Sequence, residues 1–184
     1  MILEELDRIK ARISEPDFLA NKGLSNEVGI HVFCYNPKDE LAVRDYIRRI
    51  QEEEGAPFRI IERDLYEIFL NLLADKRVLQ AAPGVEEKHG KDYLLRQLQK
   101  VATPEAFLAK MDYAPHVPGQ DVLFMTGIGK IHPFMRAHRM LDSMQALFAD
   151  IPIVMFYPGT FNGQSLSLFG EFLDGHYYRA FNLL

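Results

Sequence analysis

Apolar positions near the start of the chain step by four, three and four residues: Ile2, Leu6, Ile9 and Ile13. That spacing marks one face of a helix, with Glu4, Glu5, Asp7 and Arg8 outside it, and Pro16 is expected to end it. Residues Gly29 to Tyr35 show little polar alternation and predict a strand buried on both faces. Asn36-Pro37-Lys38-Asp39 then starts a helix, with Asn36 as N-cap and Pro37 at the first helical position. The helix is expected to run to about Gly55 and to bury Val43, Tyr46, Ile47 and Ile50. Phe58 to Glu62 predicts a second strand, and Asp64 with Glu67 resembles a capping box ahead of Leu65, Ile68, Phe69, Leu72 and Leu73.

The stretch from Arg77 to Tyr113 predicts a helical insertion. Ala81-Ala82-Pro83-Gly84 is expected to break the chain, and Glu86 to Asp92 forms a charged, solvated run. Leu94, Leu98 and Val101 mark one helix; Thr103-Pro104 caps another with Phe107, Leu108 and Met111 inward. A third strand, Asp121 to Thr126, leads into the loop Gly127-Ile128-Gly129-Lys130. Pro133 is expected to open a helix burying Phe134, Ala137, Leu141, Met144 and Phe148. Ile153 to Tyr157 is a fourth strand, closed by Pro158-Gly159, and Tyr177 to Leu183 adds a last one.

Strands apolar on both faces with helices between them imply an α/β fold. The expectation is three layers: a mostly parallel sheet, helices on both faces and a helical insertion at roughly 77–113. The strands Ile30–Tyr35, Val122–Met125 and Ile153–Tyr157 are expected in the sheet interior. In such sheets the loops at the carboxyl ends of the strands gather around one crevice. Here those loops are Tyr35-Asn36-Pro37, Thr126 to His132 and Tyr157 to Gln164.

At 184 residues the chain suits one domain, 1–184, with a sizeable core. Apolar residues make up 48% and charged residues 26%, an ordinary globular balance. No apolar run reaches membrane-spanning length, and the acids after Met1 stand where a secretory signal would be basic. Cys34 is the only cysteine, which excludes an internal disulfide or a Cys-rich zinc site. The expected location is the cytoplasm, without membrane association. The net charge of −5 argues against direct nucleic-acid binding.

Gly127-Ile128-Gly129-Lys130 invites comparison with a phosphate loop. The full pattern needs a glycine where Phe124 stands and a Ser or Thr where Ile131 stands, so it fails at both ends. The plain reading is a tight strand-to-helix turn. The sharper one is an anion site at the next helix's N-terminus, aided by Lys130 and Arg136. His132, Arg136, His138 and Arg139 cluster in sequence, with His132 and Arg136 four apart as on one helix face. His138 is out of step with them, so no metal site is expected. Asp39 and Glu40 point apart, Cys34 lies in an apolar strand, and no Gly-x-Ser-x-Gly elbow is present. The sequence therefore predicts no catalytic residues, no cofactor and no enzyme. The loop Tyr157 to Gln164 combines a turn, aromatics and two amides, and reads either as a loop packed on the domain or as a recognition loop. The candidates for a crevice or partner surface are Gly127, Gly129, Lys130, His132, Arg136, Arg139, Tyr157, Phe161, Asn162 and Gln164.

These segments also carry a likeness. Asn21-Lys22-Gly23-Leu24, Gly29 to Tyr35, Gly127-Ile128-Gly129, His132 to His138, Phe156-Tyr157-Pro158-Gly159, Gly163 to Leu166 and Tyr177 to Phe181 together resemble the BrxB family, in one order along essentially the whole chain. The C-terminal half is the specific part. BrxB proteins are small components of BREX, a bacterial defence that blocks phage replication and marks host DNA by methylation. Other BREX members supply a methyltransferase, a large ATPase and the phosphatase-like PglZ. The resemblance implies a non-enzymatic adaptor that binds other BREX proteins, PglZ first, and it carries no catalytic residues. The alternative is a degenerate nucleotide- or phosphate-binding regulatory domain.

Overall fold

The computed structural model describes residues 2–22, 29–136, 138–173 and 180–184. Helix α1 (Ile2–Ile13) turns Leu6, Ile9 and Ile13 inward, and Pro16 both ends it and occupies the first turn of the short α2 (Pro16–Leu19). Strand β1 (Ile30–Tyr35) is buried almost throughout. Asn36 then caps a 3-10 turn, Pro37–Asp39, its side chain accepting from the Lys38 N–H at 3.0 Å. Helix α3 (Glu40–Gln51) buries the four expected residues but ends four residues short of Gly55. Strand β2 (Arg59–Asp64) leads straight into α4 (Leu65–Asp75), and the insertion follows as α5 (Val78–His89), α6 (Lys91–Val101) and α7 (Pro104–Met111). The chain continues through β3 (Asp121–Thr126), α8 (Ile128–Ile131), α9 (His138–Leu147), β4 (Ile153–Phe161), β5 (Leu166–Leu168), β6 (Phe172–Leu173) and β7 (Phe181–Asn182).

The sheet order is β2-β3-β4-β1-β7, all parallel, with β5 joined antiparallel to the far end of β4 and β6 to β5. Strands β1, β3 and β4 are interior, and β3 and β4 are parallel neighbours, as expected. Alternate side chains feed two cores. Phe33, Val122, Phe124, Val154 and Phe156 face α1 and α3. Val32, Leu123, Met125, Ile153 and Met155 face α4, α7 and α9, with Phe69, Phe107, Met111, Met144 and Phe148 packed on them. This two-sided burial is why the strands lack polar alternation.

Local departures from the expected elements have visible causes. Helix α5 runs unbroken through Pro83. It has no buried residue, so water can solvate the carbonyl that the missing N–H leaves unbonded. Strand β4 does not close at Pro158-Gly159 but extends to Phe161, exchanging β1 for β5 as its partner. Pro158 sits at the end of the β1 ladder, and its carbonyl accepts from the Phe169 N–H at 2.9 Å. Gly159 lies where a Cβ would come within 2.1 Å of the Ser167 carbonyl oxygen, so this strand crossing requires a glycine.

The glycine loop after β3 is instead the short α8. The helix expected from Pro133 begins at His138, and Ala137 lies outside the described residues. Phe134 is drawn out of the helical pattern to stack on Phe69, with ring centroids 4.7 Å apart. Of the last predicted strand, Phe181–Asn182 pairs with His31 and Val32; Tyr177, Tyr178 and Arg179 lie outside the described residues, as do Gly23 and Leu24.

Candidate functional site

At the carboxyl ends of β1, β2 and β3, α3 overhangs a crevice of about 200 Å³ lined by Tyr35, Glu40, Arg44, Glu62, Asp64 and Gly127, among others. Asp64 is its pivot, because β2 ends there and α4 begins. One carboxylate oxygen caps α4, accepting from the Tyr66 N–H at 2.8 Å and the Glu67 N–H at 3.2 Å. The other accepts from Lys130 Nζ at 2.7 Å, and that ammonium also lies 5.4 Å from the Tyr66 ring centroid. Gly127 sits beside the pair with φ +74°, and a Cβ there would fall 2.1 Å from Asp64 Oδ1.

The remaining polar groups of the crevice are tied to one another. Thr126 donates to Glu62 at 2.8 Å, and the Gln51 amide donates to the other Glu62 oxygen at 3.0 Å. The Tyr35 hydroxyl donates to Glu40 at 2.5 Å, and Arg44 donates to the same carboxylate at 2.8 Å. Burial, reinforced by Glu40, raises the Tyr35 pKa well above that of a free phenol. Arg48, also lining the crevice, donates to Asp45 at 3.0 Å. Lys130 is thus held by a carboxylate, and three carboxylates face the space in which an anion would sit. Cys34 is half-buried, and desolvation pushes its thiol pKa up to about 12, the opposite of nucleophile activation. Among the described residues no group of His, Cys, Asp and Glu is placed to hold a metal ion.

Of the other candidates, His132, Arg136 and Tyr157 come together at the β5–β6 hairpin, whereas Phe161 borders a separate crevice with Ile2, Tyr35, Asn36 and Gly159. Tyr157 is only 3% exposed and floors a narrow cleft of about 30 Å³ walled by His132, Met135, Arg136, Phe172 and Leu173. His132 and Arg136 therefore do meet, but across a turn and not on one helix face. The His132 ring lies 4.9 Å from that of Phe172, and partial burial, with Arg136 nearby, lowers its pKa. Arg139 is exposed on the first turn of α9, its N–H donating to the Arg136 carbonyl at 3.2 Å. Gly129 in α8 leaves room for the Phe169 ring, which would approach a Cβ to 3.1 Å.

Asn162 and Gln164 belong to the β4–β5 turn. Asn162 Oδ1 accepts from the N–H groups of Gln164 and Ser165 at 2.9 and 2.7 Å, as an Asx turn does. Phe161 is half-buried, paired with Leu166 and packed on the core.

The residues that the sequence reading missed are Phe169, Phe172 and Leu173, which are 38%, 49% and 67% exposed. Phe169 (φ +57°) and Gly170 (φ +73°) are the central residues of a turn closed by the Glu171 N–H donating to the Leu168 carbonyl at 3.0 Å. Two successive left-handed residues make a type I′ turn, whose usual occupants are Asn, Asp and Gly. A phenylalanine there is out of place, and that was the available sequence signal.

Comparison with known proteins follows the same C-terminal emphasis. Residues 61–183 match the family model described as BREX protein BrxB. A BREX protein BrxB from Bacillus cereus (strain H3081.97) is 40% identical over 187 residues, covering 100% of this chain and 97% of its own. Another, from Escherichia coli O9:H4 (strain HS), is 31% identical over 186 residues, covering 97% of this chain and 90% of its own. No solved structure matches.

Proposed function

The chain belongs to the BrxB family of BREX proteins, and from that premise we propose that it is a non-enzymatic adaptor of a BREX anti-phage assembly, working in the cytoplasm through protein–protein contacts, with PglZ as its favoured partner. The observation that carries this reading is the contiguous surface of Phe169, Phe172 and Leu173 beside Arg136. Exposed aromatic and aliphatic side chains grouped with an arginine are the composition of an interface centre, and isolated surface apolars are not.

The state of the described crevice side chains supports the non-enzymatic half of the proposal. The polar side chains of the crevice are engaged in mutual hydrogen bonds, and the Cys34 thiol is pushed away from reactivity. The phosphate-binding alternative draws less support, because Asp64 occupies Lys130 and Glu40 and Glu62 share the crevice. Among the described residues no helix is long and apolar enough to cross a membrane.

The test is co-purification of the full chain, tagged and expressed with the other BREX genes, followed by size-exclusion chromatography. A stoichiometric complex containing PglZ is expected. Elution of the chain alone at physiological salt would contradict the adaptor reading.

A further inference from the structure

Strand β2 is the outermost strand of the parallel sheet and, among the described residues, pairs with β3 alone. In a parallel ladder alternate residues turn their backbone groups to one side or the other. The Arg59 N–H donates to the Gln120 carbonyl at 2.7 Å, so Arg59, Ile61 and Arg63 bond toward β3. Ile60 and Glu62 therefore point their N–H and C=O groups away from the sheet. The Glu62 carbonyl shows this direction, since it accepts from Arg63 Nη1 at 3.0 Å. No other described group takes up the Ile60 N–H, the Ile60 carbonyl or the Glu62 N–H.

The two faces of β2 are covered while this edge stays open. Gln51, at the end of α3, donates to the Glu62 carboxylate on one face, and Arg63 donates to the Met111 carbonyl, at the end of α7, on the other. Ile60 and Ile61 lie on opposite faces and are each only half-buried, whereas their β3 neighbours Val122 and Leu123 are fully buried. Charged side chains commonly blunt an exposed edge, and Arg63 does so at a single carbonyl. A strand laid along the edge would bond the remaining backbone groups and complete the burial of both isoleucines.

A second copy of the chain fits this edge poorly. Two copies related by a two-fold axis would pair β2 antiparallel with itself, and only the outward-facing residues could exchange hydrogen bonds. Centred on Glu62, that pairing sets Glu62 against Glu62; centred on Ile61, it sets Arg59 against Arg63; centred on Arg63, it sets Glu62 against Asp64. Like charges directly opposite destabilise a ladder. Centred on Ile60, the two strands overlap only from Arg59 to Ile61.

Resting on the adaptor reading, we infer that the β2 edge accepts an extended strand of a partner BREX protein, which lengthens the sheet beyond β2. The added strand bonds to the outward groups of Ile60 and Glu62 and carries apolar side chains at successive positions, one beside Ile60 and one beside Ile61. Arg63 gives up the Glu62 carbonyl to an N–H of the incoming strand and keeps its bond to Met111.

The experiment compares the full chain alone with the complex purified from cells that co-express it with the other BREX genes. Hydrogen–deuterium exchange with electron-transfer fragmentation resolves the single amides of β2. In the free chain the Ile61 and Arg63 amides should be protected while those of Ile60 and Glu62 exchange fast. In the complex the Ile60 and Glu62 amides should slow by at least about tenfold. A second comparison uses two variants at position 60. Ile60→Pro removes an outward N–H and no bond to β3, and Ile60→Ala loses the same side chain but keeps the N–H. The proline variant should bind the partner at least about tenfold more weakly than the alanine variant. If Ile60→Pro does not fold, the exchange comparison decides alone. Equal affinities of the two folded variants, or unchanged exchange at Ile60 and Glu62 in an intact complex, overturn the inference and leave the adaptor reading standing. Protection of both amides in the free chain that grows with its concentration marks a second copy at the edge and overturns the inference as well. Absence of any complex overturns both readings.

Discussion

Gly127 and Gly55 share φ +74° but differ in what surrounds them, and that pair allows the crevice's architecture to be tested by subtraction. An alanine at Gly55 meets nothing within 4 Å, so Gly55→Ala costs only the left-handed backbone penalty, about 1–2 kcal/mol, reduced by the entropy lost from the unfolded chain. An alanine at Gly127 pays the same and also collides with Asp64 Oδ1, 2.1 Å from the ideal Cβ position. Asp64 must then move, which loosens the cap on α4, worth about 0.5–2 kcal/mol. It also disturbs the Lys130 ion pair, worth about 0.5–1 kcal/mol at this partial exposure. The difference between the two variants should therefore be about 1–3 kcal/mol, or roughly 3–9 °C in melting temperature for a chain of this size. Urea unfolding with a common m value measures it. Equal destabilisation of the two variants would refute the claim that Gly127 is required by its contact with Asp64.

Acid should weaken the fold through His31, which packs between Phe18 and Phe181 and whose pKa falls, chiefly by burial and secondarily by Arg12, from 6.5 to about 4. The unfolded chain binds that proton first, so stability is full above pH 6.5 and declines toward pH 4 by roughly 3 kcal/mol. The variant His31→Phe should lack that slope, and an unchanged slope contradicts the assignment. Asp121, fully buried, accepts Arg59 at 2.6 and 2.8 Å, the Tyr113 hydroxyl at 2.9 Å and the Val117 N–H at 2.9 Å. Asp121→Ala should cost about 2–4 kcal/mol, and a loss below about 1 kcal/mol in the same unfolding assay would show the network to be dispensable. The isolated chain should not hydrolyse ATP; phosphate release above a blank with magnesium, lost in Lys130→Ala, would contradict this. If residues 1–184 form one domain, circular dichroism and tyrosine fluorescence should report a single coincident transition, and separated midpoints would place the insertion in its own unit.

The layers were legible because each rests on a local pattern. The interior strands are apolar at consecutive positions since helices cover both faces, and α1, α3 and α4 carry their apolar stripes in sequence. Asn36, Asp64 and Thr103 all cap where their spacing implied. What escaped depended on distant residues. Pro158-Gly159 looked like a terminator because nothing nearby reveals that β5 returns against it. Pro133 looked like a helix start because Phe69, far back in the chain, claims Phe134. The candidate residues divide in the structure: Gly127 lines the crevice under α3, His132, Arg136 and Tyr157 line the hairpin cleft, Asn162 and Gln164 build a turn, and Lys130 answers to Asp64. Phe172 and Leu173 were overlooked because an apolar residue in sequence does not declare which side of the surface it occupies.

The central claim is that this BrxB-family chain binds a BREX partner through the Phe172 cleft. Isothermal calorimetry with the BREX protein that co-purifies with it tests this most directly, comparing wild type with Phe172→Ser and with Phe161→Ala. The account predicts that Phe172→Ser lowers affinity about thirtyfold or more, the scale of a hot-spot loss of about 2 kcal/mol, with the fold intact by circular dichroism. Phe161→Ala, half-buried against the core, should lower stability and leave the affinity of the folded protein within about twofold. Unchanged affinity in folded Phe172→Ser would contradict the account and move the interface off the hairpin.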